Sequence, residues 1–221
     1  MDYAGLIIRL EKLDTCAVSD ALDALCIAGV AQGITRCSTR QMVAGRVRTM
    51  KLAAGEAAHD CAAHLGTRSV EEASDMDIIV VEQKTGIAAA CWGGVLSEAA
   101  HHKHIRGIVV EGAVRDVDEI NAIGLPVFSR AILPASARGR IHEAAVNAPI
   151  EVADVTVMPG DLVIADGTGV VFIPATSAAA VIAKAECIVL RERQMIEAVH
   201  ENKPITDIMG RDYESMLDKQ A

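Results

Sequence analysis

The sequence feature that most constrains the fold is a pair of short, continuous apolar runs. Residues 78–82 read IIVVE, and residues 107–116 read GIVVEGAVRD, in which a strand-like run ends in a glycine turn before Arg115 and Asp116. Apolar runs of this length without alternation are typical of strands buried on both faces, as in parallel sheets covered by helices. The chain is therefore predicted to have an α/β fold.

The composition supports layers of helices and strands around a sizeable core. Hydrophobic residues make up 51% of the 221 residues, whereas aromatic residues make up only 2%. The core must then be built from Ala, Val, Ile and Leu, which suits closely packed α/β layers. No internal repeat or linker divides the sequence. We therefore expect a single domain over residues 1–221, with mixed sheets flanked by helices.

Periodicity and turn residues predict the order of the elements. Helices are predicted over residues 3–13, 18–28, 56–65, 95–104, 117–123 and 177–200, with a short helix or arm over 205–217. Strands are predicted over residues 43–52, 78–82, 87–91, 108–110, 152–157, 162–165 and 170–173, and another begins at residue 127. Ser19 is a plausible cap of the second helix, and Gly29 is a stop signal. The turn DGTG at residues 166–169 predicts that the last two strands pair as a hairpin.

Charge and composition exclude several classes of protein. The net charge of −9 and the pI near 5.2 argue against a nucleic-acid-binding surface, which needs a basic footprint. No run of 18 apolar residues marks a membrane span, and the first residues lack the features of a signal peptide. The six cysteines show no C-x-x-C spacing, which indicates free thiols in a reducing compartment. A cytoplasmic protein with no nucleic-acid or membrane partner is expected.

Arg115 and Asp116 are the first candidate site residues, and two interpretations stay open. An arginine binds a carboxylate through two parallel hydrogen bonds, and a neighbouring aspartate can hold a hydrated divalent ion such as Mg²⁺. Asp116 also stands three residues before Glu119 at a predicted helix start, which is the pattern of a capping residue with a first-turn acid. The sequence is compatible with a functional pair and with a helix cap.

Gly93 and Gly94 precede the helix predicted over residues 95–104. Glycines at a helix start let backbone N–H groups approach an anion, and the helix dipole assists its binding. A tight turn from strand to helix is the alternative. The chain has no G-x-G-x-x-G motif and no Walker lysine, so nucleotide binding has little support.

Two further groups of residues have simpler structural explanations. His101, His102 and His104 close a predicted helix, where cationic residues are favourable, and their spacing fits no zinc site. Asp161 and Asp166 could perform acid–base chemistry, but both stand in sequences typical of turns.

Four other residues could take part in a site, but each also has a simpler structural explanation. Cys91 has no recognisable His or Asn partner, so a thiol nucleophile has little support. Arg138 and Arg140 could form a basic patch or belong to a solvated loop. Glu192 lies in the late charged helix, which is either a solvent-exposed face or a subunit contact that lends a carboxylate to a neighbour's site.

Five motifs in order carry a resemblance to a known family. They are WGGVLS at residues 92–97, GIVVEGAVRD at 107–116, GLPVF at 124–128, PGDLV at 159–163 and DGTGV at 166–170. Together they resemble the RraA-like family, which includes the 4-hydroxy-4-methyl-2-oxoglutarate (HMG) and 4-carboxy-4-hydroxy-2-oxoadipate (CHA) aldolases. VSDALD at residues 18–23 also resembles the start of that family. The resemblance covers residues from about 15 to 195.

The resemblance implies a swivelling β/β/α-type fold and a homotrimer or homohexamer with sites between subunits, so the helix and arm from about residue 177 would lie at an interface. It implies a divalent metal, Mg²⁺ or Mn²⁺, held by Asp116 largely through water. Arg115 would bind a small 2-oxo acid and polarise its carbonyl group. Glu192 of a neighbouring subunit is the positional candidate for a carboxylate that contacts the water around the metal.

The glycine loop is the last part of the site that the resemblance implies. The loop begins at Gly93, and the N–H groups of Gly94, Val95 and Leu96 would hold the pyruvate carboxylate. Related aldolases carry an acidic residue where this chain has Gly94. This chain therefore lacks, at that position, the acid that would help to supply the base for aldol cleavage.

The activity implied is that of a class II-type pyruvate aldolase, a lyase that releases pyruvate from an HMG- or CHA-type substrate and also decarboxylates oxaloacetate. With Gly94 in the loop, decarboxylation or another enolate-forming lyase reaction could be the main activity. The family also contains members that bind and inhibit a ribonuclease, so a non-catalytic regulator is the alternative function. A lyase of the same fold that acts on a different oxo acid is a further alternative.

Overall fold

The centre of the molecule is a mixed sheet whose neighbouring strands are often distant in the sequence. The computed structural model describes residues 1–56 and 64–210, and within these ranges nine strands form one sheet and two form a separate hairpin. The strands are β1 (Thr35–Arg36), β2 (Val43–Ala54), β3 (Asp77–Glu82), β4 (Ala90–Trp92), β5 (Gly107–Val114), β6 (Val127–Ile132), β7 (Ile141–Val146), β8 (Ile150–Val152), β9 (Val155–Val157), β10 (Leu162–Ala165) and β11 (Val170–Ile173). The main sheet has the order β1-β6-β5-β3-β2-β10-β11, with β4 beside β5 and β7 beside β2.

The strands in the middle of the sheet pair in parallel, and helices connect several of them. β2, β3, β5 and β6 pair in parallel, and β4 runs parallel to β5. The helices are α1 (Tyr3–Leu10), α2 (Thr15–Ala24), α3 (Thr67–Glu72), α4 (Gly94–His102), α5 (Val117–Ile123), α6 (Ala178–His200) and α7 (Ile205–Ile208). α4 connects β4 to β5, and α5 connects β5 to β6. Because β4 and β5 are parallel, the loops that follow them emerge at the same edge of the sheet.

Apolar side chains fill three clusters around the sheet. On one face, Ile79 and Val81 of β3 belong to a cluster that includes Trp92 and residues of α3, α4 and α5. On the other face, Ile78 and Val80 belong to a cluster that includes the β8–β9 hairpin. The third cluster joins α1, α2 and α6 to β10 and β11. β3 is thus buried on both faces, and the predicted α/β class with a mixed sheet flanked by helices is confirmed.

Most of the predicted elements are present with small shifts in their ends. The helices predicted over residues 95–104, 117–123 and 177–200 correspond to α4, α5 and α6, and the first helix ends three residues early, at Leu10. The predicted hairpin is confirmed, since β10 and β11 pair antiparallel from Leu162↔Ile173 to Ala165↔Val170.

The predicted ends of the second helix are wrong. α2 begins at Thr15, because the Asp14 carboxylate accepts a hydrogen bond from the Ala17 N–H and caps the helix. Ser19 therefore lies inside the helix. Gly29 lies beyond its end and serves a different purpose: a Cβ there would stand 2.2 Å from the Phe172 carbonyl oxygen, so glycine permits close packing against β11.

The predicted strand over residues 152–157 is two short strands joined by a turn. Ala153 between them has a φ of 51°, which breaks the extended run. Its N–H donates to the buried Glu111 carboxylate at 2.8 Å, and its carbonyl oxygen accepts from Lys84 Nζ at 2.6 Å. Glu111 also pairs with Arg130. The Glu111 carboxylate therefore anchors the β8–β9 hairpin on the sheet.

Three further elements, β1, β7 and α3, were missed, and two predictions fall partly outside the described residues. β7 lacks the regular alternation of buried and exposed residues, and α3 has six residues, so neither has a clear periodic pattern. The helix predicted over residues 56–65 falls largely on residues 57–63, outside the described ranges. α7 covers the start of the predicted C-terminal arm, and its residues from 211 onward lie outside the described ranges as well.

Asp161 and Asp166 belong to turns, as the simpler interpretation expected. Asp161 accepts hydrogen bonds from the N–H groups of Met158 and Ala175, at 2.8 and 2.9 Å. Asp166 accepts from the N–H and hydroxyl groups of Thr15 and from the Thr168 N–H. Burial alone would raise the pKa of Asp166, but these hydrogen bonds outweigh it and lower the pKa. Both carboxylates are therefore committed to holding loops in place.

Candidate active site

The edge of the sheet beyond β4 and β5 brings the two main sequence motifs together. Trp92, the last residue of β4, is in register with Val114, the last residue of β5. The Arg115 N–H donates to the Trp92 carbonyl oxygen at 3.0 Å, which extends the contact by one residue. Gly93 and Gly94 leave one strand where Arg115 and Asp116 leave the other, so motifs separated by 20 residues meet at one place.

Asp116 stands at the start of α5 but does not cap it through its side chain. The residue has a left-handed backbone, with φ of 58° and ψ of 38°, and no side-chain capping hydrogen bond forms. Its Oδ2 atom instead accepts from the Gly94 N–H at 3.0 Å, and both of its oxygens lie 3.1–3.2 Å from Arg115 Nε. The helix-cap interpretation is therefore wrong for the side chain, which faces the glycine loop.

The glycine loop must pass very close to this carboxylate. A Cβ at Gly93 would stand 2.6 Å from Asp116 Oδ2 and 3.1 Å from Arg115 Cγ, so a side chain at position 93 would displace the pair. Ser97 holds the loop from behind: its hydroxyl group donates to the Gly93 carbonyl oxygen and accepts from Trp92 Nε1, both at 2.9 Å. Trp92 and Ser97 are buried, so the loop rests on a rigid base.

The first turn of α4 offers backbone donors to an anion. Gly93 at the N-cap has no side chain to satisfy these donors, and the Gly94 N–H is used by Asp116. The N–H groups of Val95 and Leu96 belong to the same first turn, where no partner exists within the helix. Together with the positive end of the helix dipole, they suit a carboxylate ligand.

These groups line a cleft with a volume of about 360 Å³. Its walls include residues 90–96 with the glycine loop, Arg115 and Asp116, and a facing side formed by His64, Thr67 and residues 136–138. Arg138 therefore adds a second arginine residue to the wall. A concave site of this size with a few convergent polar groups suits a small, anionic molecule.

The donor set at Asp116 fits a hydrated Mg²⁺ or Mn²⁺ ion. Within residues 1–56 and 64–210, no group of three or more His, Cys, Asp or Glu side chains is arranged to hold a metal. A closed zinc-type site therefore does not form from those residues. Mg²⁺ usually keeps several waters and binds through one or two carboxylates together with its substrate, and Asp116 at the cleft supplies one such carboxylate.

The histidine group and Cys91 lie where the simpler interpretations placed them. His101, His102 and His104 are exposed at the end of α4. Cys91 lines the cleft but is buried, and burial raises the pKa of its thiol to about 12. At neutral pH that thiol stays protonated, which does not suit a nucleophile.

Glu192 lies on α6, near Asp14 and Asp20. Burial raises the pKa of Glu192, and repulsion from these two carboxylates adds to the effect. Glu192 is not among the residues that line the cleft of its own chain. Its assignment to a neighbour's site therefore stays a prediction.

Sequence reasoning missed Arg138 and His64, which line the cleft, and Glu119, which lies beside the glycine loop but is not among the lining residues. Arg138 and His64 were not assigned to this site, because they come from loops far from the two motifs in sequence. Glu119 was noted only as a first-turn acid. In the structure, however, a Cβ at Gly94 would stand 2.1 Å from Glu119 Oε2. The three-residue spacing from Asp116 was the available signal, since it places both residues in the first turn of one helix.

Comparisons with known proteins show which proteins the chain resembles. A model of the RraA-like family, described as Aldolase/RraA, matches residues 15–172. Protein DlpA of Legionella pneumophila is 31% identical over 195 residues, and the match covers 88% of this chain but only 32% of that protein. The 4-hydroxy-4-methyl-2-oxoglutarate aldolase of Thermus thermophilus is 30% identical over 135 residues, or 61% of this chain and 77% of that protein.

A solved structure shares the fold over most of the chain. RraAS2 of Streptomyces coelicolor, described as an unusual member of the RNase ES inhibitor RraA protein family, superposes with a TM-score of 0.76. It is 26% identical in sequence, and the superposition covers 86% of this chain and 94% of that one. In addition, none of the helices in the described ranges is long and apolar enough to cross a membrane.

Proposed function

The chain belongs to the RraA-like (Aldolase/RraA) family, and from this premise we propose that it is a divalent-metal-dependent lyase. The substrate is a 4-hydroxy-2-oxo acid of the HMG or CHA type, which is cleaved to pyruvate and a second 2-oxo acid. Oxaloacetate decarboxylation is a side activity. The observation that carries this proposal is the convergence of Arg115, Asp116 and the first turn of α4 on one cleft.

The α4 end of the cleft binds the carboxylate that all such substrates share. The N–H groups of Val95 and Leu96 donate to this carboxylate, and the helix dipole adds to the attraction. Arg115 lies within hydrogen-bond distance of Asp116 and keeps further guanidinium donors for the substrate. The loop therefore fixes the pyruvate half of the substrate beside the guanidinium group.

Arg115 stabilises the negative charge that develops when the substrate is cleaved. When the C3–C4 bond of the substrate is cleaved, its electron pair moves into the pyruvate half, where negative charge accumulates on the oxygen of the former 2-oxo group. The guanidinium group stabilises that charge by a preorganised hydrogen bond, and such electrostatic stabilisation is commonly the largest catalytic contribution.

Asp116 would hold the metal ion, Mg²⁺ or Mn²⁺, largely through water. When bound, the ion supplies positive charge that stabilises the same developing enolate. The Gly94 N–H and Arg115 keep the Asp116 carboxylate turned toward the cleft. In oxaloacetate the leaving group at C3 is carbon dioxide, so the same charge stabilisation supports decarboxylation.

A coupled assay with lactate dehydrogenase tests this proposal, because it detects pyruvate directly. The purified chain is incubated with HMG, CHA and oxaloacetate, with Mg²⁺ or Mn²⁺ and then with an excess of chelator. We expect pyruvate release that requires the metal. Release that is unaffected by the chelator contradicts the metal requirement, and no release from any of the three substrates contradicts the lyase.

The second candidate function is a non-catalytic regulator that binds a ribonuclease. It is favoured by the similarity to RraAS2, whose family is described as inhibiting RNase ES. A net charge of −9 would also suit contact with a basic segment of a partner. Binding to a purified ribonuclease, together with no pyruvate release in the coupled assay, would select this function.

A subunit contact through α6 is part of the proposal, with a homotrimer or homohexamer as the assembly. Ile196 and Val199, three residues apart on the second half of this helix, are 54% and 45% exposed, which is unusual for large apolar side chains that share a face. Glu192 lies on the same half of the helix and would reach the neighbour's cleft. Light scattering gives the assembly, and a Glu192→Gln variant with unchanged assembly but lower turnover would support that role.

A further inference from the structure

We propose that Glu119 is a further catalytic residue of this site, the general base that takes the proton from the C4 hydroxyl group of the substrate. This inference rests on the proposed lyase function and deepens it. Aldol cleavage needs such a base, whereas decarboxylation of oxaloacetate does not. A base contributes about 10²–10⁴-fold to the rate of a step that requires it.

The position of the Glu119 carboxylate is the first argument. Glu119 lies in the first turn of α5, and its Oε2 atom stands 2.1 Å from the point that a Cβ of Gly94 would occupy. Asp116 Cβ stands 3.5 Å from the same point. The Glu119 carboxylate therefore fills the space over the glycine loop where any side chain at position 94 would have to lie.

The availability of this carboxylate is the second argument. Both oxygens of Asp116 accept hydrogen bonds, from the Gly94 N–H and from Arg115, so Asp116 is held by its neighbours. Among residues 1–56 and 64–210, no side chain or N–H group donates to the Glu119 carboxylate, and the residue is exposed. Glu119 thus combines a position beside the loop with lone pairs that are free to accept a proton.

The neighbouring acid on the same helix gives a contrast. Asp118 is also in the first turn of α5 and is exposed, but it makes no comparable approach to the glycine loop. Both acids interact favourably with the helix dipole. The dipole therefore explains why acids stand at both positions, and it does not explain the contact that Glu119 makes with Gly94.

The chemical step balances with the residues of the site. Glu119 accepts the C4 hydroxyl proton, the oxygen–hydrogen electron pair becomes the second bond of the new carbonyl group at C4, and the C3–C4 bond breaks. The electron pair from that bond forms the enolate of pyruvate, whose charge Arg115 stabilises. Protonation of C3 by the Glu119 carboxylic acid then gives pyruvate and returns the base to its starting state.

Glu119→Gln tests the inference, with Asp118→Asn as a control that removes the same charge from the same helix turn. We expect Glu119→Gln to slow pyruvate release from HMG or CHA by about 10²-fold or more. Oxaloacetate decarboxylation should fall far less. Asp118→Asn should show none of these effects.

Two binding measurements separate a base from a structural or metal-holding residue. Trp92 is the chain's one tryptophan and lines the cleft, so its fluorescence reports pyruvate binding without turnover. Pyruvate affinity and Mn²⁺ affinity, the latter measured by electron paramagnetic resonance, should stay within about threefold of the wild type in Glu119→Gln. A tenfold loss of Mn²⁺ affinity would assign Glu119 to the metal and overturn the role as base.

The failure of this inference can be told apart from failure of the proposed function. Equal loss of cleavage and decarboxylation in Glu119→Gln, or no loss of either, overturns the role of Glu119 and leaves the lyase intact. A wild-type protein that decarboxylates oxaloacetate but cleaves no 4-hydroxy-2-oxo acid also overturns it. If the wild type releases pyruvate from none of these compounds, the proposed function fails and this inference fails with it.

Discussion

The N–H group of Gly94 donates a hydrogen bond to Asp116 Oδ2 at 3.0 Å, which joins the first turn of α4 to the residue that precedes α5. The bond holds the aspartate away from its own helix and toward the cleft. A side chain at Gly94 would collide with a second carboxylate, since Glu119 Oε2 stands 2.1 Å from the point that its Cβ would occupy. Four testable consequences of this structure concern the site, its cysteine and the stability of the sheet.

Removing either charge of the Arg115–Asp116 pair should abolish most of the activity. We expect Arg115→Ala and Asp116→Asn each to lower turnover by about 10²–10³-fold, the usual cost of losing one preorganised electrostatic group. Asparagine is the matched change at position 116, because it tolerates the left-handed backbone there. The coupled pyruvate assay measures the loss. Wild-type turnover in both variants would refute the assignment of the site.

A methyl group at Gly93 should disturb the site without unfolding the protein. Gly93→Ala places its Cβ 2.6 Å from Asp116 Oδ2, so the carboxylate must move. We expect turnover to fall by about 10²-fold, the scale associated with a 1 Å misplacement of a catalytic group. Gly169→Ala is the control, since a Cβ there has no heavy atom within 4 Å. Thermal unfolding and the coupled assay should separate the two variants, and similar activity in both would contradict the prediction.

Cys91 should be unreactive in the folded protein although it lines the cleft. Burial raises the pKa of its thiol to about 12, so the thiolate that reacts with iodoacetamide is scarce at pH 8. Because the pKa is raised, an increase to pH 9 should not expose a reactive fraction. Cys16, Cys26 and Cys187 are exposed and serve as internal references. Mass spectrometry after brief labelling should find these three modified, and rapid labelling of Cys91 would show that the cleft opens more than the structure allows.

The buried Asp77 carboxylate should make stability depend on pH in acid. Burial alone would raise the pKa of Asp77, but hydrogen bonds from Arg46 and from the Ser74 N–H and hydroxyl groups lower it. A carboxyl group with a lowered pKa stabilises the fold above its unfolded pKa of about 3.9, and this contribution is lost as the pH falls through the folded value. Urea unfolding between pH 7 and pH 3 should show the decline.

A pair of variants tests the same carboxylate at neutral pH. Asp77→Asn leaves Arg46 without its buried counter-ion and should lower the free energy of unfolding by about 3 kcal/mol. Glu186→Gln breaks the Arg9–Glu186 pair, in which both side chains are about 40% exposed, and should cost less than about 1 kcal/mol. Equal effects in the two variants would mean that burial of Asp77 does not determine its contribution. The Glu186→Gln variant should retain most of the acid decline of stability, because it removes only the smaller contribution of the exposed Arg9–Glu186 pair, which also lowers the pKa of Glu186.

The elements with strong local patterns could be predicted from the sequence. The apolar run at residues 78–82 is β3, buried on both faces, and the DGTG turn joins β10 to β11 as the predicted hairpin. The failures came where a local signal competed with another contact. Asp14 capped α2 in place of Ser19, and the turn at Ala153 divided a strand because Glu111 and Lys84 hold it from elsewhere in the chain.

The sequence by itself determined two candidate parts of the site, the glycine loop and the Arg115–Asp116 pair, because each is a short local motif. It left open whether Asp116 caps a helix or faces a ligand. Only the tertiary structure decided this, since the parallel pairing of β4 with β5 brings Gly94 within hydrogen-bond distance of Asp116. The same pairing brings Glu119 over Gly94, a contact between residues 25 positions apart that no local pattern encodes.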